Sequence, residues 1–267
     1  MSFRKRVRAL LYAAPLLDSL FRRFVWSRVH FPEHELKVLD GLRGLGTVID
    51  VGAATGNYSW VLAQRARRVV AFEPGDEHFH RLRLGANGSR ITPLKYAVGE
   101  DSRKVKFFKP DDTVDGLHSA TCSSENPAIG SAEVSEIEQV SIDEIVESEE
   151  IEDVDLIKID VEGYENQVVR GALRTISRFE PVVICEIEER HNPDWFFCFE
   201  QLQERGYRAF FFRDGEYRAF ENPALIDEIQ SAENRRKRLQ GDLSADYCNN
   251  FVFVKTKTHC DWFGITK

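Results

Sequence analysis

An apolar run that breaks into a turn of small residues governs what this chain can fold into. Val48-Ile49-Asp50-Val51 leads directly into Gly52-Ala53-Ala54-Thr55-Gly56, and helical spacing begins at Tyr58. A near-continuous apolar run suits a strand covered on both faces, the habit of parallel sheets. Gly52 permits a sharp turn, and Gly56 permits close approach at the helix start. The first amide groups of a helix have no partner inside it, so such a turn offers a seat for a carboxylate or phosphate. Glycines after a strand also serve packing alone, and the turn by itself does not separate the two uses.

Beyond this turn, short β-branched runs alternate with helical patterns, the mark of βαβ units around a parallel sheet. The expected strands are Thr47–Val51, Arg68–Phe72, Ile91–Ala97, Val154–Ile159 and Pro181–Ile187, with helices over Tyr58–Arg67, Asp76–Asn87 and Tyr164–Phe179. The fold class that follows is α/β, Rossmann-like, with a mostly parallel central sheet and helices on both faces. The long segment 100–153 interrupts the alternation. It holds a strand at Val105–Phe108, a polar stretch at Ser119–Ser131, a strand ending near Val140 and an acidic helix Ile142–Glu150. A bare loop of that length is rare, so an added substructure is expected there. The tail adds strands at Tyr207–Phe212 and Phe251–Lys255 around a charged helical stretch, Ala224–Leu239. The organisation expected is a basic helical extension over 1–46, a core over 47–213 with its insertion at 100–153, and a closing helix and strand of the same domain over 214–267.

The next strand sharpens the meaning of the turn. Val69-Val70-Ala71-Phe72 ends at Glu73-Pro74, and Glu73 lies 23 residues after Asp50. A carboxylate at the end of a second strand can accept hydrogen bonds from two ribose hydroxyls. The competing use of Glu73 is to cap the helix that begins near Asp76. Gly-Ala-Ala-Thr-Gly lacks the pyrophosphate-cradling glycines of G-x-G-x-x-G and the Lys-Ser/Thr of a P-loop, which disfavours nicotinamide, flavin and ATP sites. A sulfonium cofactor needs no pyrophosphate clamp.

Further pieces complete a pattern. They are Phe79-x-x-Leu82 with Asn87, Tyr96-Ala97-Val98-Gly99-Glu100, Val140-Ser141-Ile142-Asp143, and above all Asp155-Leu156-Ile157-Lys158-Ile159-Asp160-Val161-Glu162-Gly163-Tyr164-Glu165, continuing to Val169 and Gly171. In this order and spacing the sequence resembles the FkbM family of S-adenosylmethionine-dependent methyltransferases, over about residues 47–188. Ala54-Thr55 departs from the residues common in relatives and leaves the glycines intact. The resemblance implies a class I methyltransferase fold and S-adenosyl-L-methionine as cofactor. It implies that Gly52 and Gly56, with Asp50, Ala53, Asn57 and Tyr58, hold the amino-acid end. Glu73 and Pro74 would then meet the ribose, and Tyr96 and Ala97 the adenine. The acceptor range it implies is a hydroxyl of a sugar, glycan precursor or secondary metabolite.

Methyl transfer to oxygen requires an aligned nucleophile, a closed pocket and relief of the hydroxyl proton. Sites on open sheets lie at the carboxyl ends of strands. Asp160 and Glu162 close one core strand, and Glu186 with Glu188 closes the next, followed by His191. Asp160 is the first choice for orienting the acceptor or removing its proton, with capping of the helix near Gly163 as its competing role. Glu162 is its partner or the cap itself. Glu186 and Glu188 share strand parity. His191 is the obvious base near neutrality, and His118 a base that could reach in from the insertion. The acids raise the question of a divalent ion, but their spacing matches no metal signature and Lys158 is close by, so no metal site is expected. Trp195-Phe196-Phe197-Cys198-Phe199 and Phe210-Phe211-Phe212 are either acceptor-pocket lining or core, and such runs are more often core.

Charge narrows the partners. The net charge of -8 disfavours a nucleic-acid track. Residues 1–30 nevertheless carry seven basic side chains against one acid, leaving -14 on the rest. That basic start, with Leu10, Leu11, Leu16, Leu17 and Phe21 interleaved, is a candidate for peripheral membrane contact or for packing on the domain. Arg235-Arg236-Lys237-Arg238 reads as a solvated helix face. Five cysteines without a C-x-x-C pair fit neither a disulfide framework nor structural zinc and suit a reducing compartment. The expected location is cytoplasmic, with the basic start at the inner face of a membrane as a variant. The alternatives are an N-methyltransferase, weakened because no Asn/Asp-Pro-Pro-aromatic motif occurs, and a non-catalytic Rossmann-like binding protein.

Overall fold

A computed structural model describes residues 34–110, 121–122, 132–239 and 247–265. The basic N-terminal segment, His118 and most of Ser119–Ser131 lie outside the described residues. The chain divides into two compact units, the first ending at Ala97 and the second starting at Val98.

The first unit alternates helix and strand throughout. Its elements are α1 (His34–Gly41), β1 (Leu45–Val51), α2 (Asn57–Ala63), β2 (Ala66–Phe72), α3 (Asp76–Ala86) and β3 (Ile91–Leu94). The strands run parallel in the order β1-β2-β3, with Val48 opposite Val69 and Val70 opposite Thr92. Val48, Ile49, Val69, Val70 and Ala71 are wholly buried, as two-sided cover of a parallel sheet requires. The Trp60 ring of α2 sits on two glycines. A Cβ at Gly85 would lie 2.8 Å from its Cζ2, and one at Gly56 would lie 3.3 Å from its Nε1 and 2.8 Å from Leu82 Cδ1. Gly56 is thus demanded by its positive φ of 91° and by side-chain packing at once.

The expected strand Ile91–Ala97 splits in two. Leu94 closes β3 by giving its carbonyl to Glu73 N, and a separate two-residue strand, β4 (Ala97–Val98), follows Lys95 and Tyr96. Pro93 has no N–H to donate, which suits the outermost strand of this unit.

The second unit begins with the insertion. In it β5 (Arg103–Pro110) pairs antiparallel with the two-residue β6 (Thr121–Cys122) and with β7 (Ala132–Val140), setting Val105 opposite Ile137. Helix α4 (Ile142–Ser148) opens with a reciprocal cap, Ser141 Oγ accepting from Glu144 N and the Glu144 carboxylate accepting from Ser141 N. Then follow β8 (Leu156–Ile159), α5 (Glu165–Arg170), α6 (Leu173–Phe179) and β9 (Val182–Glu186), with β8 and β9 parallel. The single helix expected over Tyr164–Phe179 is broken because Gly171 gives its carbonyl to Asp143 N. A Cβ at Gly171 would fall 1.9 Å from the Gly99 carbonyl oxygen. The buried Asp143 carboxylate then accepts from Thr175 N and Oγ1 at the start of α6.

The remaining elements are α7 (Phe196–Gln203), β10 (Arg208–Arg213), β11 (Glu216–Ala219), α8 (Leu225–Ile229), α9 (Ala232–Leu239), β12 (Asn250–Val254) and α10 (Lys257–Trp262). Strand β12 lies antiparallel between β9 and β10, and β11 forms a hairpin with β10. The hairpin turn at Asp214-Gly215 has φ of 53° and 85°, the two left-handed residues that a tight primed turn needs. The aromatic run resolves into core. The Phe199 ring lies 5.0 Å from Phe251, 5.1 Å from Phe253 and 4.8 Å from Phe220. Phe197, Trp195 and Phe196 are only partly buried at its margin. In α9, Lys237 pairs with Glu233 on a charged, mostly accessible helix. No described helix is long and apolar enough to cross a membrane.

Candidate active site

In the first unit the ends of β1 and β2 are tied together by backbone amides. Gly52 N and Ala53 N both donate to the Phe72 carbonyl, at 3.0 and 2.9 Å, and Gly56 N donates to Ala53 O at 2.7 Å. Ala54 N donates to Glu73 Oε2 at 2.9 Å, while Glu73 Oε1 accepts from Gly75 N at 2.8 Å. The N–H groups of these four residues are thus all taken by acceptors of the turn and of the β2 end, and the first amides of α2, from Asn57 on, are a separate set. Neighbouring strand ends compete for the same donors, and the turn closes on itself. What the turn presents at Gly52, with φ 77°, is backbone without a side chain. Ala54 is held at φ 48°, a left-handed conformation costly for a residue with a Cβ.

Glu73 does more than the helix cap weighed against ribose binding. It is buried, and it bolts the turn to the segment that starts α3. Those two amides take two of the roughly four acceptor positions of a carboxylate. Asp50 is buried at the end of β1 and accepts from Ser59 Oγ of α2 at 2.5 Å. Tyr58 and Ala97 are buried, while Asn57, Pro74 and Tyr96 are half-buried. The residues fit the amino-acid and ribose ends of S-adenosylmethionine: two carboxylates at adjacent strand ends, with the bare backbone of Gly52 beside them.

In the second unit the structure brings Asp160, Glu162, Glu186 and His191 into one group. Carboxylate oxygens of the three acids lie within 4.8 Å of one another. Lys158, only 1% exposed, sets its Nζ 3.6 Å from Asp160 Oδ2 and donates to the Ile159 carbonyl. His191 Nδ1 lies 2.8 Å from Glu162 Oε2 and 3.9 Å from Glu188 Oε2, with the ring 17% exposed. Glu188 is also paired with Arg190. Asn249 Nδ2 donates to Glu186 Oε1 and, at 3.1 Å, to Glu188 Oε1, so the expected shared face of these two acids is present. Burial, with the Asp160 charge next in weight, pushes the Glu186 carboxyl well above the ordinary range.

The helix near Gly163 is α5, whose flanking residue Tyr164 makes no side-chain cap of its own. Gly163 N donates to Glu165 Oε1 at 2.6 Å, and Glu162 sits in the left-handed region at φ 51°. Gly163 has φ 98°, and a Cβ there would meet the His191 carbonyl oxygen at 2.6 Å. Only glycine lets the loop after β8 lie against the loop after β9.

Several participants had no individual signal in the sequence. Glu165, 1% exposed, accepts from Gly163 N and from Asn192 Nδ2 at 3.1 Å, stitching the two loops together. Burial pushes its carboxyl up to about 7. Asn166 extends the network to Asn192 and Cys198. Asn249 reaches the group because β12 runs antiparallel to β9, a neighbourhood that local patterning does not encode.

Comparison with known proteins decides the family. The model of the methyltransferase FkbM domain matches residues 50–209, more than half of the chain. The chain belongs to this family. It is thus a member of a family of S-adenosylmethionine-dependent methyltransferases with an α/β, Rossmann-like class I fold, as the sequence motifs led us to expect. Hexuronic acid methyltransferase AglP of Haloferax volcanii is 27% identical over 137 residues, which are 51% of this chain and 53% of that protein. The chain spans about half the length of the curated relative it matches. Among solved structures, methyltransferase FkbM from Methylobacillus flagellatus aligns with a TM-score of 0.47 and 18% identity, covering 85% of this chain and 47% of that one. A putative O-methyltransferase from Klebsiella pneumoniae aligns with a TM-score of 0.40 and 13% identity, covering 93% and 96%.

Proposed function

We propose that the chain transfers a methyl group from S-adenosylmethionine to a hydroxyl of a sugar or glycan precursor. The observation that carries this reading is the match of the FkbM domain model across both the turn and the carboxylate group, residues 50–209. The glycan class is supported by the uronic-acid relative. The cofactor would supply an electrophilic methyl on a sulfonium centre. In the first unit, Glu73 and Asp50 would hold the ribose and the amino group through charge-assisted hydrogen bonds, and Gly52 would admit the amino-acid end. Asn57, Tyr58 and Ala53 would line that end, with Pro74, Tyr96 and Ala97 beside the ribose and base.

In the second unit, His191 is the base. His191 Nδ1 lies 2.8 Å from Glu162 Oε2, which leaves Nε2 to take the acceptor's proton. Asp160, anchored by Lys158, would orient the acceptor hydroxyl. Glu186, biased toward its neutral acid, would donate a hydrogen bond to a sugar oxygen. The basic N-terminal segment is proposed as a peripheral contact to a membrane carrying a lipid-linked acceptor, with the enzyme on the cytoplasmic side.

Calorimetric titration with S-adenosylhomocysteine, followed by labelled-methyl transfer onto uronic-acid glycans, tests the assignment. Saturable binding and an alkali-stable methyl ether support it. A folded protein that binds no S-adenosylhomocysteine, or label recovered on nitrogen, overturns it.

A further inference from the structure

One side-chain amide in the second unit serves two acids at once. Asn249 Nδ2 donates to Glu186 Oε1 and to Glu188 Oε1, so the two hydrogens of a single NH₂ group are divided between neighbouring carboxyl groups. The main chain, not the side chain, sets where Asn249 stands, because its carbonyl accepts from Ile187 N at 2.7 Å. Gln230 clamps the same two segments. Its Nε2 donates to the carbonyls of Ile187 and Cys248, and its Oε1 accepts from Glu189 N.

The two acids are not equivalent. Glu188 is buried, is paired with Arg190 and accepts a hydrogen bond from the Tyr247 hydroxyl. Glu186 faces other acids instead. Its carboxylate lies with those of Asp160 and Glu162 within 4.8 Å, and Glu188 stands beside it. The cation facing this crowd is Lys158, whose Nζ is 3.6 Å from Asp160 Oδ2. Burial first, and then the charge of Asp160, push the Glu186 carboxyl well above the ordinary range, so Glu186 keeps its proton. A protonated carboxyl group has one O–H and one carbonyl oxygen, and the carbonyl oxygen is the better acceptor. The oxygen that accepts from Asn249 is therefore the carbonyl oxygen, and the proton belongs on the other.

We propose that Asn249 is a positioning residue for Glu186: by occupying Oε1 it leaves the O–H on Oε2 and so sets the direction in which the acid donates. The same amide ties this setting to Glu188 and, through it, to Arg190 and Tyr247. The directed O–H then meets an oxygen of the acceptor. That last step rests on the methyl-transfer reading, whereas the placement of the proton does not.

The test is infrared difference spectroscopy on the full chain near neutral pH, without cofactor or acceptor, as wild type minus Glu186→Gln. A carbonyl band of a protonated carboxyl group is expected from Glu186. The same difference taken in an Asn249→Leu background should place this band at higher wavenumber, because its C=O has lost a hydrogen bond. Asn249→Ser, too short to span both acids, should move it the same way and carries the test should Asn249→Leu fail to fold. Gln230→Leu removes the neighbouring clamp and should lower Tm with the band unmoved. Acceptor kcat/KM should fall about tenfold in Asn249→Leu, with S-adenosylhomocysteine affinity kept. A Glu186 band that is absent, or that stays in place in the Asn249 variants, overturns the proposal, and so does an equal shift in Gln230→Leu. A shifted band with kcat/KM unchanged overturns the contact with the acceptor. S-adenosylhomocysteine binding by the wild type reports separately on the methyl-transfer reading.

Discussion

Glu165→Gln isolates the carboxyl that joins the two loops of the acidic group. Glu165 is buried, accepts from Gly163 N and Asn192 Nδ2, and titrates at about 7 against a reference of 4.5. Between those two values the folded chain holds a proton that the unfolded chain has lost. Stability from this group is therefore fully present below the unfolded pKa and falls as pH rises toward the folded one. That raise corresponds to roughly 3 kcal/mol in all, most of which falls between pH 5 and pH 8. Glutamine cannot ionise. The stability difference between variant and wild type should consequently move by about 2–3 kcal/mol in the variant's favour between those pH values. Urea unfolding of both proteins at pH 5 and pH 8 measures this directly, and titrations common to both cancel in the difference. A gap that stays constant within about 0.5 kcal/mol would falsify the argument that burial dominates at Glu165.

Other perturbations follow from single contacts. Glu73→Gln keeps one acceptor for the amides of Ala54 and Gly75 and sets an amide N–H₂ against the other, so it should cost about 1–3 kcal/mol of stability; S-adenosylhomocysteine binding should also weaken measurably, and unchanged calorimetric affinity would count against a ribose contact. His191→Ala should lower kcat by about 10²–10⁴-fold if His191 is the base, with S-adenosylhomocysteine affinity preserved. Gly163→Ala combines a positive φ with a 2.6 Å approach to the His191 carbonyl and should cost about 1–3 kcal/mol or more, seen as a lowered Tm and lost activity. Phe199→Ala, at the centre of the aromatic cluster, should cost about 3–5 kcal/mol in urea unfolding while leaving S-adenosylhomocysteine affinity of the folded protein intact.

Local chemistry determined much of this protein. Two-sided apolar runs at Val48–Val51 and Leu156–Ile159 can persist only as covered strands, and period and length set the helices between them. Glycines and the acids at strand ends were equally legible, because a turn, a left-handed backbone or a carboxylate at a strand terminus is a property of few residues. Tertiary structure alone decided how these pieces are used. It gave the amides of Gly52, Ala53, Ala54 and Gly56 acceptors at Phe72, Glu73 and Ala53, and gave Glu73 a bolting role. It split the helix at Gly171, where a carbonyl from Gly99 leaves no room for a side chain. By laying β12 antiparallel against β9, it also carried Asn249 and Asn250 to Glu186, more than sixty residues away in the chain. Backbone hydrogen bonds and burial are settled between segments remote in sequence. A pattern of 3.6 or 2 residues therefore specifies which face is apolar, while the identity of the partner that covers or ligates it emerges only when the strands pair.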